Sequence, residues 1–146
     1  MQWNSGLSAG FSSSETTWLP LNQNYPWINV EKQTSGEDPH NTHLGVYRDV
    51  MHFRKEIMNG GDRRISFDKE NELFFAFSFD YGLLLNFGTQ EVTFNMLDNS
   101  DMPWGLFGAV IARSVNGLAM NEAGSVVDLS NVQLDRYEAL LIKPLE

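Results

Sequence analysis

Carboxyl groups are the most numerous side chains in this sequence that could do chemistry, with 19 Asp and Glu among 146 residues. Two carboxyls can act as a general acid and base when they lie close together and when burial raises the pKa of one of them. Two candidate pairs, Glu37 with Asp38 and Asp98 with Asp101, stand among polar, turn-forming residues. Because carboxylates in such turns commonly accept backbone N–H groups, we interpret both pairs as solvated surface groups and predict no catalytic residue in the chain.

A serine motif near the start of the chain also needs an explanation. The segment Gly6-Leu7-Ser8-Ala9-Gly10 matches the G-x-S-x-G string of a nucleophile elbow, but that elbow needs a strand before it and a helix after it. Only five residues precede the motif, and the serine-rich residues after it do not start a helix. We therefore interpret it as a loop whose glycines permit positive φ.

Histidines at the predicted start of a helix are the best candidates for metal ligands. His40 and His43 stand three residues apart beside Asp38, so that they could present ligands on one face. No third ligand follows at a fixed spacing, and the lack of cysteine removes thiolate ligands and thiolate catalysis. We predict no metal and no cofactor.

Four tryptophans could stack on sugar rings, because an aromatic face packs well against the apolar face of a pyranose. They are Trp3, Trp18, Trp27 and Trp104. Packing against a neighbouring protein surface explains the first three at least as well, and we favour packing over sugar binding for them.

The net charge of −9 is carried without any cluster of basic residues. Nucleic acid and anionic lipid both require such a cluster, so we predict no nucleic-acid partner. The longest uncharged apolar run, 102–112, is too short to span a bilayer. The sequence therefore gives no evidence for a membrane, and it assigns no cellular location.

The elements that would hold these residues fall into three parts. Residues 1–36, which we call the arm, are rich in Ser, Asn, Gly and Trp and lack helical periodicity; an irregular segment of this length is unusual in a compact domain. Asp38 as N-cap and Pro39 at the first helical position predict a helix over 40–58, ended by Asn59-Gly60-Gly61. From residue 63 the apolar period becomes two, which predicts about seven short strands in an antiparallel sandwich or barrel.

The strand prediction has specific bounds and a specific core. The strands are expected at 63–67, around Phe75 to Phe79, and at 82–87, 92–96, 104–115, 125–134 and 137–142, with a tight turn at Asp80-Tyr81-Gly82. The phenylalanines expected in the core are Phe74, Phe75, Phe77, Phe79 and Phe94.

Motifs spread along nearly the whole chain resemble one family of enzymes. In order, they are Met1-Gln2-Trp3-Asn4, Ala9-Gly10-Phe11, Trp18-Leu19-Pro20-Leu21-Asn22, Asn24-Tyr25, Ile28-Asn29-Val30-Glu31-Lys32-Gln33, Val46-Tyr47-Arg48-Asp49, Phe53-Arg54-Lys55-Glu56, Leu83-Leu84-Leu85-Asn86-Phe87-Gly88 and Leu134-Asp135-Arg136-Tyr137-Glu138-Ala139-Leu140. This series resembles the C-terminal part of α-glucosidases and maltases, including insect maltases, in the oligo-1,6-glucosidase subgroup of glycoside hydrolase family 13.

The resemblance implies a mainly β fold with two parts. Residues 1–62 would be the end of a (β/α)8 catalytic barrel, an irregular arm followed by the barrel's last helix, and 63–146 would be the antiparallel Greek-key sandwich called domain C. It also implies that Gln2, Trp3 and Asn4 lie near the substrate mouth and bind sugar, although the family usually has Asp where Asn4 stands. Members of the family are often secreted or attached to a membrane.

The implied function is part of a retaining α-glucosidase acting on maltose, sucrose or short α-glucans, with an oligosaccharide bound through the barrel. The family's Asp, Glu and Asp catalytic set lies upstream of the residues present here, so we expect the chain alone to be inactive. Two alternatives stay open. One is the non-catalytic heavy chain of an amino-acid transporter, and the other is a stand-alone sugar-binding β-module.

Overall fold

The computed structural model describes residues 1–36, 38–57, 64–100 and 103–145. Two compact units form, Met1–Tyr47 and Arg48–Glu146, which we call the first unit and the sandwich unit. The mainly β fold predicted from the sequence is confirmed. The predicted domain boundary at 62 and the predicted helix stop at 59–61 lie outside the described residues.

The first unit contains little regular structure. A 3-10 turn spans Leu7–Gly10, a short helix α1 spans Val30–Ser35, and helix α2 spans His43–Ile57, beginning in this unit. Helix α1 was not expected from the sequence. Asn29 caps it by accepting a hydrogen bond from the Lys32 N–H at 2.9 Å, while its own amide donates to the Tyr25 carbonyl at 2.8 Å.

Helix α2 begins three residues later than predicted, and with a different cap. The Thr42 hydroxyl accepts a hydrogen bond from the Gly45 N–H at 3.0 Å, which is the bond an N-cap makes to the third helical residue. Asp38, the predicted cap, accepts from the Asn41 N–H at 3.2 Å in the turn before the helix. Pro39 therefore lies outside α2 rather than in its first turn.

Among its described residues, the sandwich unit holds eight strands in two antiparallel sheets. A six-stranded sheet has the order β1-β2-β3-β8-β5-β6, and β4 pairs with β7 in a second sheet. The strands are β1 Arg64–Asp68, β2 Leu73–Phe77, β3 Gly82–Asn86, β4 Val92–Phe94, β5 Phe107–Arg113, β6 Val126–Asp128, β7 Val132–Leu134 and β8 Ala139–Pro144. β8 returns to lie between β3 and β5, with a bulge between Val110 and Ala112 where it pairs with β5.

Three sequence expectations for this unit need correction. The segment 125–134 contains two strands rather than one, because 129–131 forms a turn between them. Met96 begins a short helix, α3, Met96–Ser100, instead of extending a strand. Phe79 lies beyond the end of β2 and is 58% exposed, and Phe74 is only half-buried and lies outside the core, so neither is the core residue that the sequence predicted.

One core lies between the two sheets. Its fully or nearly fully buried members come from both sheets and from the residues that join them: Leu73, Phe75, Phe77, Leu84, Phe94, Met96, Val110, Leu129, Val132, Leu134, Leu140 and Ile142. The core packs closely against Gly82, because a Cβ at this position would stand 2.2 Å from the terminal methyl of Met96. The predicted tight turn at 80–82 is present, closed by a bond from the Ser78 N–H to the Tyr81 carbonyl.

The opposite face of the six-stranded sheet carries a smaller apolar cluster. Phe53 of α2 packs there with Ala112 and Leu141, and its ring meets Tyr81 edge-on at 6.0 Å. Phe53 thus holds the C-terminal turns of α2 against the sheet. The apolar face predicted from the periodicity of the sequence included Tyr47 and Val50 instead, which are 61% and 39% exposed, so that prediction is wrong.

Candidate functional site

The predicted sugar-binding residues occupy an extended segment held on both sides by backbone hydrogen bonds. On one side the Trp3 N–H donates to the Ala9 carbonyl at 2.8 Å. On the other, the Val30 and Glu31 N–H groups donate to the Gln2 and Trp3 carbonyls at 3.0 and 2.9 Å. This segment therefore joins the turn at Leu7–Gly10 to the start of α1.

The Gln2 side chain is engaged within the first unit. Its Nε2 donates to Asn24 Oδ1 at 3.2 Å and to the Ile28 carbonyl at 2.5 Å. These partners stand 22 and 26 residues away along the chain, so no local pattern in the sequence could have indicated them. The Gln2 Oε1 is the amide atom that these two bonds leave available to a ligand.

Asn4 lies inside the turn that follows it. Its Oδ1 accepts a hydrogen bond from the Gly6 N–H at 2.9 Å, and Gly10 approaches so closely that a Cβ there would stand 2.5 Å from the Asn4 Nδ2. Gly10 has φ +75°, and Ser8 and Ala9 before it also have left-handed φ values of 50° and 53°. The Asn4 side chain thus packs against a stretch of three consecutive residues, 8–10, with left-handed backbone.

A mainly apolar groove of about 550 Å³ runs beside this segment. Gln2 contributes to its wall, whereas Trp3 and Asn4 do not. The other lining residues are Met1, Phe11, Trp18, Leu19, Pro20, Leu21, Asn22, Ile28, Asn29, Val30 and Gln33. Its size falls within the range of small-molecule sites, and Trp18, which is 95% exposed, forms part of its rim.

The remaining tryptophans divide into two groups. Trp3 and Trp27 are largely exposed in the first unit. Trp104 instead packs edge-on against Phe77 at 5.4 Å and donates its Nε1–H to the Phe79 carbonyl at 3.2 Å. Trp104 is therefore a packing residue of the sandwich unit.

The G-x-S-x-G string does not form a nucleophile elbow. Ser8 is buried, and its hydroxyl donates to the Ser14 carbonyl at 2.5 Å. The motif forms a 3-10 turn with left-handed residues and has no strand before it, as the loop interpretation predicted.

The described carboxylates that the sequence singled out are engaged in turns. Asp38 accepts a backbone bond as described above, and Asp98 Oδ2 accepts from the Asn95 amide at 2.8 Å. Their sequence partners Glu37 and Asp101 lie outside the described residues. Hydrogen bonds from Asn71 and Ser130 lower the pKa of Asp68 and Asp128 respectively, which is the opposite of what a general acid requires.

Neither metal-binding geometry nor a membrane span is present in the part of the chain that the structure describes. Across 1–36, 38–57, 64–100 and 103–145, no three His, Cys, Asp or Glu side chains converge as a metal site would require. Within the same residues, every helix is too short or too polar to cross a bilayer. His43 stands at the first position of α2, and His40 stands in the turn before it.

Residues 1–61 match the family described as alpha-amylase, catalytic domain. Over 101 residues, the chain is 36% identical to the salivary alpha-glucosidase of Aedes aegypti; the match covers 66% of this chain and 17% of that protein. A probable oligo-1,6-glucosidase of Bacillus subtilis is 43% identical over 56 residues, which are 38% of this chain and 9% of the relative.

A relative of another kind matches over a longer stretch. The amino acid transporter heavy chain SLC3A1 of Homo sapiens is 30% identical over 152 aligned positions, covering 98% of this chain and 21% of that protein. The chain thus spans about a fifth of the length of the curated relatives that it matches.

Proposed function

Because this chain is α-glucosidase-like and belongs with the alpha-amylase family, glycoside hydrolase family 13, we propose that it forms part of a retaining α-glucosidase. Residues 1–62, including helix α2, would be the end of the catalytic barrel, and residues 63–146 would be domain C. The substrates would be maltose, sucrose or short α-glucans, from which the enzyme releases glucose.

The observation that carries this proposal is the match of residues 1–61 to a catalytic domain, together with the exposed aromatic surface of that same segment. Trp18 and Trp27 are 95% and 64% exposed. Monomeric proteins rarely leave several large aromatics uncovered in one small region. The rest of a catalytic barrel is the surface that would cover them.

Retaining hydrolysis needs a nucleophilic carboxylate and an acid with a raised pKa about 5 Å apart. Asp38 and Asp98 accept hydrogen bonds in turns instead, and hydrogen bonds lower the pKa values of Asp68 and Asp128. We therefore propose that the catalytic pair is supplied by the barrel beyond this segment and that the 146-residue chain alone is inactive.

Gln2, Trp3 and Asn4 would contribute to sugar binding at the rim of the barrel. The free Gln2 Oε1 could accept a hydrogen bond from a sugar hydroxyl while its Nε2 stays bonded to Asn24 and Ile28. In the full-length protein, Gln2→Glu should raise the KM for maltose because a carboxylate cannot donate to Asn24 and Ile28. Gln90→Glu, at an exposed position of the sandwich unit, is the matched control.

The main experiment compares glucose release from maltose and sucrose by the purified 146-residue chain and by the full-length gene product. We expect turnover by the full-length protein only. A folded full-length protein without activity on any α-glucoside would refute the proposed α-glucosidase function. If the 146-residue chain instead released glucose and lost this activity when one of its own carboxylates was substituted, that result would refute the proposal that the chain alone is inactive.

The transporter heavy chain is the second candidate, because the match to SLC3A1 extends over 98% of the chain whereas the match to the salivary glucosidase covers 66%. In that case the same two units would chaperone and bind a transporter subunit without hydrolysing sugar. Sequence upstream of Met1 discriminates the two. A nucleophile, acid and stabiliser set favours the glucosidase, and a single transmembrane helix before a barrel lacking that set favours the heavy chain.

A further inference from the structure

An open pocket lined by side chains with polar groups lies on the sandwich unit where two loops meet. Its four lining residues are Asn116, from the loop after β5, and Asp135, Arg136 and Tyr137, from the loop between β7 and β8. The pocket has a volume of about 570 Å³ and opens widely to solvent. None of these residues belongs to the first unit.

The loop between β7 and β8 rests on a buried carboxylate. Glu138 is 1% exposed, and its Oε1 accepts a hydrogen bond from the Asn121 amide at 2.8 Å. Its Oε2 accepts from the Asp135 N–H at 2.7 Å. Gly117 closes over the same carboxylate, because a Cβ there would stand 2.5 Å from Glu138 Oε1. The two loops that form the pocket thus both contact the buried Glu138 carboxylate.

Two further amides hold the loops in place. Asn116 Nδ2 donates to the Arg136 carbonyl at 3.0 Å and so bridges the two walls. The buried Asn86 donates its Nδ2 to the Asp135 carbonyl at 2.8 Å. Because these bonds fix the loops without a ligand, a ligand would bind with little ordering of the pocket.

Tyr137 is held in a left-handed conformation, with φ 57°. Bulky residues rarely adopt this conformation. The hydrogen bond from the Glu138 N–H to the Asp135 carbonyl, at 3.2 Å, closes the turn that imposes it. The side chain is 57% exposed, so the turn places an aromatic ring in solvent beside the polar groups of the pocket.

The side chains of this pocket combine two kinds of sugar contact. An aromatic face packs against the apolar face of a pyranose, and guanidinium, carboxylate and amide groups hydrogen-bond to neighbouring hydroxyls. The positive Arg136 and the negative Asp135 balance each other, which favours a neutral ligand. We propose that this pocket is a binding site for a neutral pyranose, such as a terminal glucosyl unit, separate from any catalytic site.

NMR titration of the ¹⁵N-labelled 146-residue chain with methyl α-glucoside and with maltose tests the proposal directly. We expect saturable shifts at the amides of Asn116, Asp135, Arg136 and Tyr137. The test does not depend on hydrolysis, so its failure leaves the proposed glucosidase untouched, and its success does not require that enzyme.

Substitution of Tyr137 separates ring stacking from folding. Tyr137→Gly removes the ring while glycine accepts the left-handed backbone readily, and it should weaken binding by about tenfold. Tyr137→Phe keeps the ring and should stay within about threefold of the original affinity. Glu72→Gly is the matched control, because Glu72 is also left-handed, with φ 52°, but is absent from the pocket lining.

Four outcomes would overturn the proposal. They are no saturable shift with either sugar, shifts confined to Gln2, Trp3 and Asn4, undiminished binding by Tyr137→Gly, and stronger binding of glucuronate than of methyl α-glucoside. The second would favour sugar binding by the arm instead. The last would indicate an acidic ligand held by Arg136.

Discussion

The two compact units differ in where their aromatic side chains lie. In the sandwich unit, Phe75, Phe77 and Phe94 form a buried cluster whose ring centroids are 4.9 to 6.4 Å apart. In the first unit, Trp18 and Trp27 are mostly exposed. The sandwich unit therefore buries its large side chains in a core of its own, whereas the described residues of the first unit form no comparable core.

The source of order differs accordingly. In the first unit, backbone bonds from 30 and 31 to 2 and 3, and the Gln2 and Asn29 side-chain amides, tie the segments together. Hydrogen bonds contribute modestly to net stability, whereas burial of apolar area supplies most of it. The described residues of the first unit are therefore ordered mainly by hydrogen bonds, with little of the apolar burial that would stabilise them alone.

The largest effect should come from the buried cluster. Phe77→Ala removes a fully buried ring that contacts Phe75, Phe94 and Trp104, and it should lower the free energy of unfolding by about 3–5 kcal/mol in urea denaturation. Phe79→Ala, at an exposed position, should change it by less than about 0.5 kcal/mol. Similar losses for both would contradict a core between the sheets.

A smaller loss is expected when the buried carboxylate is changed. Glu138→Gln replaces one acceptor with a donor, so either the Asn121 amide or the Asp135 N–H loses its partner. Urea denaturation should show a loss of about 1–3 kcal/mol. The exposed Glu122→Gln serves as the control. If Glu138→Gln were as stable as the control, the carboxylate would not be what holds the loop between β7 and β8.

The first unit should respond locally rather than globally. Asn29→Ala removes both the cap of α1 and the bond to the Tyr25 carbonyl, a change worth about 1 kcal/mol at a helix N-terminus. Amide hydrogen exchange should speed up at Lys32 and Gln33 and stay unchanged in β3 and β8. If amide exchange accelerated equally in the sandwich unit, the two units would unfold together. The contrast between their sources of stability would then be wrong.

The strands were easier to predict than the arm, for a physical reason. Alternating apolar residues locate β2 and β3 to within two residues, because one face of each strand is buried in the same core. The sequence misplaced Phe79, since alternation continues past the residue at which pairing ends. It also missed the turn that divides 125–134, although Asp128, Ser130 and Asn131 at the break are turn-forming residue types.

Helix α1 and the candidate site could not be predicted in the same way. Val30–Ser35 includes β-branched and hydroxyl side chains of modest helix propensity, and its start depends on bonds to Gln2 and Trp3 far back along the chain. The motif around Tyr137 was visible in the sequence, but its left-handed backbone and the burial of Glu138 beneath it were not. Long-range hydrogen bonds set the start of α1 and hold the buried Glu138, whereas Tyr137 takes its conformation from the turn closed between Asp135 and Glu138.

The smallest predicted effect concerns a turn of the sandwich unit in which the Asp128 carboxylate accepts hydrogen bonds from Ser130. The Ser130 hydroxyl and N–H both donate to Asp128, at 2.7 and 2.9 Å, and the hydroxyl is the larger cause of the lowered pKa. A carboxyl with a lowered pKa stabilises the fold above its unfolded pKa, and this contribution is lost as the pH falls through the folded pKa, below about pH 4.

Ser130→Ala should therefore move the pKa of Asp128 upward, part of the way to its ordinary value, because the Ser130 N–H bond persists. A ¹³C titration of the side-chain carboxyls measures this shift, with Asp68 as the internal control, since Asn71 rather than Ser130 lowers its pKa. An unchanged Asp128 titration would show that the hydroxyl bond does not form in solution. The sandwich unit would then have a stable core, but the turn at Asp128 would lack its side-chain hydrogen bond from Ser130.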